Sequence, residues 1–217
     1  MKDIIKAITH HKIIVIMRKV PGDKIIPVTQ ALYDGGIRLV EVTFDQSDPN
    51  TLIRTANAVS AITDTFKGKM HVGAGTVLTI QQAEAAQVSG AGFIVSPNTD
   101  QEVIRRTVGL GMVSIPGALT PSEIVMAYNA GADFVKLFPG GDLGSGYLKA
   151  ICAPISHIPI LVVGGVNADN MQEFLQAGAA GFGIGSNIVD KKLIDGAAYC
   201  RLTELAQSYT RQIITYI

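Results

Sequence analysis

Short apolar runs alternate with longer amphipathic stretches along almost the whole chain. The apolar runs are rich in β-branched residues, a pattern typical of strands that are buried on both faces. We predict eight such strands, at residues 13–17, 39–43, 72–76, 93–96, 112–116, 133–139, 160–163 and 181–185. The stretches between them have the apolar spacing of helices. Strand and helix therefore alternate through the sequence.

Helix starts are marked by a recurring set of residues. Three predicted helices open with a capping box, in which threonine is followed three residues later by glutamate or glutamine. These pairs are Thr79 with Gln82, Thr99 with Glu102, and Thr120 with Glu123. Another helix is predicted to begin at Ser47, with Pro49 in its first turn, and to continue to about Thr65. Further helices are predicted before the first strand and from about residue 197 to 214.

The spacing of the strand ends predicts the fold. Successive ends are separated by roughly 20 to 30 residues, the length of one βα unit. Eight such units predict an α/β protein, a TIM (β/α)₈ barrel, here with an extra N-terminal helix and residues 1–217 forming one domain. The alternative is an open doubly wound sheet. That fold usually carries a glycine-rich dinucleotide motif after its first strand, and residues 18–22 do not resemble one.

Composition and charge limit the possible partners. The chain has 18 basic and 18 acidic residues without a long run of either sign, so neither a nucleic-acid surface nor an anionic membrane surface is indicated. No apolar run has membrane-spanning length. Cys152 and Cys200 lack ligand or redox spacing and indicate free thiols in a reducing compartment, which predicts a cytoplasmic protein. We therefore expect a small-molecule partner.

One lysine stands inside a strand-like run. Lys136 shares a strand face with Phe134 and Phe138 and is buried if both faces of the strand are covered. Burial lowers the pKa of a lysine and makes its amine a nucleophile toward carbonyl groups, which predicts a Schiff base. The alternative is a lysine that extends its charged end to water. Pro139 ends the run at once, so Lys136 lies near the strand end where α/β folds carry their chemistry, which favours the Schiff base.

Three more polar residues lie at predicted strand ends. Glu41 is the only acid inside such a run and would meet Lys136 in the mouth of a barrel, where it could hold the amine charged or transfer protons. The alternative is a structural ion pair in the barrel core, a weaker hypothesis because apolar residues fill such an interior better. Arg18 and Thr76 are suited to binding a carboxylate, although Thr76 is equally suited to capping a turn.

Glycines follow the seventh and eighth predicted strands, where TIM barrels commonly bind phosphate. Gly164 and Gly165 let backbone N–H groups approach an anion, and Ser186 after Gly185 adds a hydroxyl donor. The alternative is that these glycines only form tight turns. The four histidines show no metal-ligand spacing, so no metal site is predicted.

Taken together, these motifs resemble the class I aldolases that cleave 2-keto-3-deoxy-6-phosphogluconate (KDPG) and related 2-keto-4-hydroxy acids. The residues that carry the resemblance are VEVT at 40–43, GAGTV at 73–77, VSP at 95–97, PG at 116–117, TPSE at 120–123, KLFP at 136–139, GGV at 164–166 and GS at 185–186. They span nearly the whole chain in the order of the family.

The resemblance implies a role for each candidate residue. Lys136 would form the Schiff base with pyruvate, and Glu41 would act as the general acid and base. The pyruvate end would be bound by Arg18, Thr76, Pro97 and Phe138, and the phosphate by Gly164, Gly165, Gly185 and Ser186. The resemblance also implies a homotrimer that acts on a phosphorylated 2-keto acid and needs no metal or other cofactor.

Two positions depart from the family pattern and are expected to affect specificity. Members specific for the gluconate substrate commonly have threonine where this chain has Val163, and the branch acting on the galactonate epimer resembles this chain there. Some members have arginine at the position of Asp45, four residues after Glu41.

The expected reaction is cleavage of KDPG to pyruvate and D-glyceraldehyde 3-phosphate. The alternatives are an aldolase for the galactonate epimer or for 4-hydroxy-2-oxoglutarate (KHG), an isomerase or epimerase, and a barrel that binds a sugar phosphate without catalysis.

Overall fold

The computed structural model describes residues 1–216 and contains one sheet in which all neighbouring strands are parallel. Its strands are β1 (Ile13–Met17), β2 (Leu39–Thr43), β3 (His71–Gly75), β4 (Phe93–Val95), β5 (Val113–Ile115), β6 (Gly117–Ala118), β7 (Val135–Leu137), β8 (Ile160–Val163) and β9 (Gly181–Ile184). Their order in the sheet is β5-β4-β3-β2-β1-β9-β8-β7-β6. The two edge strands, β5 and β6, are therefore neighbours along the chain.

Pro116 explains why nine strands form a barrel of eight βα units. It separates β5 from β6 and has no N–H to give to a sheet. Upstream of it, β5 pairs with β4, and downstream β6 pairs with β7. The Lys136 N–H donates to the Pro116 carbonyl, with N and O 2.8 Å apart, so the interrupted strand contacts both neighbours. The predicted barrel is confirmed, although its fifth strand continues past the predicted end to Ala118.

Helices precede the barrel and connect its strands. They are α1 (Lys2–His11), α2 (Ile25–Asp34), α3 (Thr51–Thr65), α4 (Ile80–Val88), α5 (Gln101–Gly109), α6 (Pro121–Asn129), α7 (Gly140–Cys152), α8 (Met171–Gln176), α9 (Lys191–Asp195) and α10 (Tyr199–Tyr216). A 3₁₀ turn at Gly22–Lys24 leads into α2. The predicted N-terminal and C-terminal helices are both present.

Two of the predicted capping residues are confirmed. The Thr79 side chain accepts from the N–H of Gln82 at the start of α4, and Thr120 accepts from the N–H of Glu123 at the start of α6. Only the second pair is a complete capping box. The Gln82 side chain instead accepts from the N–H of Leu78.

Two other predicted helix starts are wrong. The N-cap of α5 is Asp100, one residue after the predicted Thr99, whose hydroxyl donates to the Gly117 carbonyl. α3 begins at Thr51 and not at Ser47, because Ser47 belongs to a preceding turn in which it donates to the Asp45 carboxylate. In both cases a short polar side chain donates to a group outside the helix instead of capping the helix end.

α1 closes one end of the barrel. Its Ala7 and Ile8 are buried with Leu39 and Phe93, which point into the barrel interior. The Phe93 ring fills the space beside Gly73, where a Cβ atom would lie within 2.3 Å of the ring. Only the opposite end, at the carboxyl ends of the strands, is therefore open to a ligand. In the described part of the chain, no helix is both long and apolar enough to cross a bilayer.

Candidate active site

Lys136 lies inside the barrel. Its strand neighbours Val135 and Leu137 pack outward against the helices, so Lys136 points the other way and is only 6% exposed. It lines a small cavity together with Glu41 and Val163. Burial lowers the pKa of Lys136. The charge of Glu41 opposes that shift, and the charge of Arg18 adds to it. A buried amine with a lowered pKa is suited to nucleophilic attack on a carbonyl carbon.

Glu41 lies in the same cavity, on β2, and is 2% exposed. Burial raises the pKa of its carboxyl to about 7, against the charges of Lys136 and Arg18, which lower it. The ion pairs found within residues 1–216 do not join Glu41 to Lys136. The geometry therefore does not favour the structural ion pair considered as an alternative. A carboxyl that titrates near neutral pH is suited to accept and return a proton during catalysis.

Arg18 and Phe138 lie on the solvent side of this pair. Arg18 follows β1 and is exposed, and its charge affects the pKa of both Glu41 and Lys136, so it lies near both. The Phe138 ring centroid is 4.7 Å from the Lys136 Nζ, and the ring is 41% exposed. Phe138 therefore covers the amine between the cavity and solvent.

Thr76 and Pro97 follow the next two strands, β3 and β4, and both are half-buried. Thr76 has the left-handed backbone conformation, with φ 57°, which is unusual for a residue with a branched side chain. Within residues 1–216, its N–H donates no hydrogen bond and its hydroxyl neither donates nor accepts one, so the Thr76 side chain does not cap a turn. The Pro97 carbonyl lies against Gly117, where a Cβ atom would approach its oxygen to 2.3 Å.

The loop after β8 is built from two left-handed glycines. Gly164 has φ 84° and Gly165 has φ 76°, conformations that residues with a Cβ atom rarely adopt. The Gly164 carbonyl accepts from the N–H of Gly141, and a Cβ on Gly165 would lie 3.0 Å from the Gly141 Cα. A Cβ on Gly164 would lie 3.3 Å from the Phe138 ring. This loop therefore packs directly against the residues that follow Lys136.

The loop after β9 lies beside it. The Gly185 carbonyl accepts from the N–H groups of Ile188 and Val189, which turns the chain and leaves Ser186 exposed. The Asn187 side chain donates to the Val166 carbonyl at 2.9 Å, which joins this loop to the one after β8. The four residues predicted to bind phosphate are thus in two connected loops.

Of the two predicted specificity positions, only Val163 lines the cavity. It is buried, and its side chain occupies the space beside Gly183, where a Cβ atom would come within 2.8 Å. Asp45 lies outside the cavity, in a surface cleft, where its carboxylate is 3.2 Å from the Lys19 Nζ. Hydrogen bonds from Ser47, and then Lys19, lower the pKa of Asp45 to about 2. Asp45 is therefore charged and already engaged.

The sequence model of the family described as KDPG and KHG aldolase matches residues 4–205. The chain belongs to this family. As a KDPG/KHG-type aldolase it is a carbon–carbon lyase that acts on a small-molecule substrate.

Similar proteins agree with that membership. The chain is 37% identical over 177 residues to 2-dehydro-3-deoxy-6-phosphogalactonate aldolase of Escherichia coli K12, which covers 81% of this chain and 83% of that one. It is 33% identical over 215 residues to 2-dehydro-3-deoxy-phosphogluconate aldolase of Treponema pallidum, 99% of each chain. A crystal structure of KDPG aldolase from Legionella pneumophila, 28% identical, superposes with a TM-score of 0.83 over 94% of this chain and 97% of that one.

Sequence patterns did not identify the amide side chains that fix the loops of this aldolase. Asn170 donates to the Gly165 carbonyl, Asn187 donates to Val166, and Gln46 donates to the Thr76 carbonyl. Asn187 and Gln46 bind backbone groups in other loops, and Asn170 binds the backbone of its own loop. Periodicity along one segment does not reveal such contacts. The only available signal was an amide directly after the Gly-Ser pair at residues 185–186.

Proposed function

We propose that this aldolase cleaves a 2-keto-3-deoxy-6-phospho sugar acid to pyruvate and glyceraldehyde 3-phosphate through a Schiff base on Lys136. The observation that carries the proposal is the pairing, in one cavity, of a buried amine of lowered pKa with Glu41, whose carboxyl has a pKa of about 7. The Legionella relative supports it, because in that enzyme pyruvate was captured as a covalent carbinolamine.

The proposed chemistry uses two side chains. The neutral Lys136 amine adds to the C2 carbonyl, and loss of water from the carbinolamine gives an iminium that withdraws electrons. Glu41 takes the proton from the C4 hydroxyl as the C3–C4 bond breaks, the aldehyde leaves, and an enamine remains. Protonation at C3 and addition of water then release pyruvate and restore the amine. Glu41 also carries the protons of these later steps.

The rim residues bind the two ends of the substrate in this proposal. Arg18 supplies charge, and Thr76 two unengaged donors, for the carboxylate. Phe138 and Pro97 flank the pyruvate portion. The phosphate lies against the loops after β8 and β9, where Gly164, Gly165 and Gly185 allow close approach of the backbone and Ser186 donates.

For the substrate we propose the galactonate epimer first. Val163 in the cavity favours it, as does the Escherichia coli galactonate-epimer relative at 37% identity. The gluconate epimer is the second candidate, favoured by the Treponema relative that matches over 99% of both chains. Turnover of the two epimers and of unphosphorylated 4-hydroxy-2-oxoglutarate, measured side by side through pyruvate release, separates the three. The highest kcat/KM on the galactonate epimer is the expected result.

The Schiff base is tested by borohydride reduction in the presence of pyruvate, followed by intact mass and peptide mapping. We expect one pyruvate adduct on Lys136, its absence from Lys136→Ala, and its persistence in Lys149→Ala, in which an exposed lysine is removed. A folded wild-type protein that forms no adduct would refute the Schiff-base mechanism and favour a phosphate-binding barrel of other chemistry.

The assembly and location of the protein stay predictions. The family resemblance predicts a homotrimer, which sedimentation equilibrium measures directly. The sequence predicts that residues 1–217 form one domain. The cytoplasmic location predicted from the cysteines is tested by fractionating cells that express the protein.

A further inference from the structure

Three consecutive residues after β3 are each bound by a side chain from another part of the chain. The Gln46 amide donates to the Thr76 carbonyl at 2.8 Å, and the Ser96 hydroxyl donates to the Val77 carbonyl at 2.7 Å. The Gln82 side-chain oxygen accepts from the Leu78 N–H at 2.7 Å. The segment 76–78 is therefore bound by three elements: the loop after β2 through Gln46, the end of β4 through Ser96, and α4 through Gln82.

The two glutamines are joined to each other. The Gln82 amide nitrogen donates to the Gln46 side-chain oxygen at 2.9 Å, so Gln82 uses both its donor and its acceptor. Gln82 is only 6% exposed, and a buried amide with both ends bonded has one favourable orientation. We call Gln46 and Gln82 the glutamine pair.

The residue that the glutamine pair holds is in an unfavourable conformation. Thr76 has φ 57°, where a Cβ atom crowds the backbone, so the surrounding contacts must maintain it. In the described part of the chain its N–H and hydroxyl donate to no residue. A relaxed Thr76 would change the direction of both donors at once.

We propose that Gln82, acting through Gln46, is a positioning residue that keeps Thr76 in the left-handed conformation for binding the carboxylate at the pyruvate end of the substrate. This inference rests on the proposed function, which assigns that carboxylate to Thr76. The glutamine pair itself does not touch substrate. Its removal weakens pyruvate binding more than it slows the chemical steps at Lys136 and Glu41, since the hydrogen bonds of the glutamine pair go to Thr76 and Leu78 and not to those two side chains.

The test compares Gln82→Leu and Gln46→Leu with Gln81→Leu, the same change at an exposed neighbour on α4. For each, the readouts are the pyruvate concentration that gives half-maximal borohydride trapping on Lys136, and the kcat and KM for cleavage. We expect the half-maximal concentration to rise about tenfold in Gln82→Leu, in keeping with the loss of two hydrogen bonds, while kcat stays within about twofold. Gln46→Leu shifts it in the same direction, and Gln81→Leu leaves it unchanged.

A second background separates positioning from a general structural role. Glycine adopts the left-handed conformation without strain, so in Thr76→Gly the glutamine pair has less to maintain. We expect Gln82→Leu to weaken pyruvate binding less in that background than in the wild type. Equal effects in both backgrounds would mean that Gln82 only stabilises the fold.

The positioning role of Gln82 and the proposed function are overturned by different results. Unchanged pyruvate trapping in folded Gln82→Leu and Gln46→Leu, or a fall in kcat alone, overturns the positioning role and leaves the proposed function standing. Should Gln82→Leu fail to fold, Gln46→Leu decides, because Gln46 is exposed. Absence of a pyruvate adduct in the wild type would overturn the proposed function and this inference with it.

Discussion

The Glu41 carboxylate lies against the backbone of Gly75 on the neighbouring strand, so closely that a Cβ atom at position 75 would approach Oε1 to 2.6 Å. β2 and β3 run in register here, with Val42 opposite Ala74 and Thr43 opposite Gly75. The absence of a side chain at position 75 therefore gives the carboxyl its place in the cavity. Since burial of this carboxyl raises its pKa to about 7, the glycine also maintains the electrostatic state of the site.

Gly75→Ala is expected to displace the Glu41 carboxylate and lower kcat by about 100-fold, because a shift of roughly 1 Å in a reacting group has an effect of that size. Steady-state cleavage kinetics measure it. The control is Gly109→Ala, where a Cβ atom would meet nothing within 4 Å. If Gly75→Ala retains wild-type kcat, the position of Glu41 is not set by this contact.

Glu41 also makes stability depend on pH. Its pKa is about 7 in the folded protein and about 4.5 in an unfolded chain. Between these values the folded protein keeps a proton that the unfolded chain has released, so the contribution of Glu41 to the free energy of unfolding falls as pH rises and levels off above about pH 7. Converted at about 1.4 kcal/mol per pKa unit, the free energy of unfolding falls by about 3 kcal/mol over this range.

Glu41→Gln has no such titration. As pH rises from about 4.5 to about 7, its free energy of unfolding should therefore increase relative to that of the wild type. Urea unfolding at several pH values in this range measures the difference. Glu102→Gln, at an exposed position on α5, serves as the control and should track the wild type. Parallel curves for Glu41→Gln and wild type would mean that Glu41 titrates normally in the folded protein.

The barrel and most of the site could be predicted because buried strands and helices require apolar residues at regular spacings in the sequence. Lys136 and Glu41 stand out as charges inside apolar runs, and paired glycines after strands mark loops that approach closely. Pro116 shows the limit of this reasoning. A proline in an apolar run predicts that the strand ends there. Here the chain continues beyond Pro116 as β6, which is hydrogen-bonded to β7.

Loop side chains could not be predicted in the same way. Thr99 and Ser47 each fit an N-cap pattern, yet their hydroxyls donate to Gly117 and Asp45. The family resemblance makes Asp45 a candidate specificity position, and the structure shows it paired with Lys19 outside the cavity. Such choices depend on which polar group from a distant segment comes within reach, and local spacing does not encode this.

Ser186→Ala tests the phosphate loops. The change removes one donor from an exposed position, so the fold should be retained. We expect KM for the phosphorylated substrate to rise about tenfold, the usual effect of losing a hydrogen bond to a charged group, and KM for 4-hydroxy-2-oxoglutarate to stay unchanged. Ser122→Ala, at an exposed position on α6, is the control. Equal effects on both substrates would place the phosphate elsewhere.

Val163→Thr tests the choice between epimers. Val163 lies in the cavity with Lys136 and Glu41, and the family resemblance associates threonine at this position with specificity for the gluconate epimer. The new hydroxyl can hydrogen-bond a substrate hydroxyl of one configuration only, so we expect the ratio of kcat/KM for the gluconate over the galactonate epimer to rise about tenfold. Because the site is buried, stability should fall by about 1 to 3 kcal/mol.

The matched control is Val162→Thr, which buries the same hydroxyl one residue away, on the face of β8 that packs against the helices. It should lose comparable stability while keeping the wild-type ratio between the epimers. Kinetics with both epimers, together with thermal unfolding of both variants, complete the comparison. If the ratio changes equally in Val162→Thr and Val163→Thr, the effect comes from general loosening of the barrel. If it changes in neither, the discrimination lies in other contacts, such as those made by the loops that hold the phosphate.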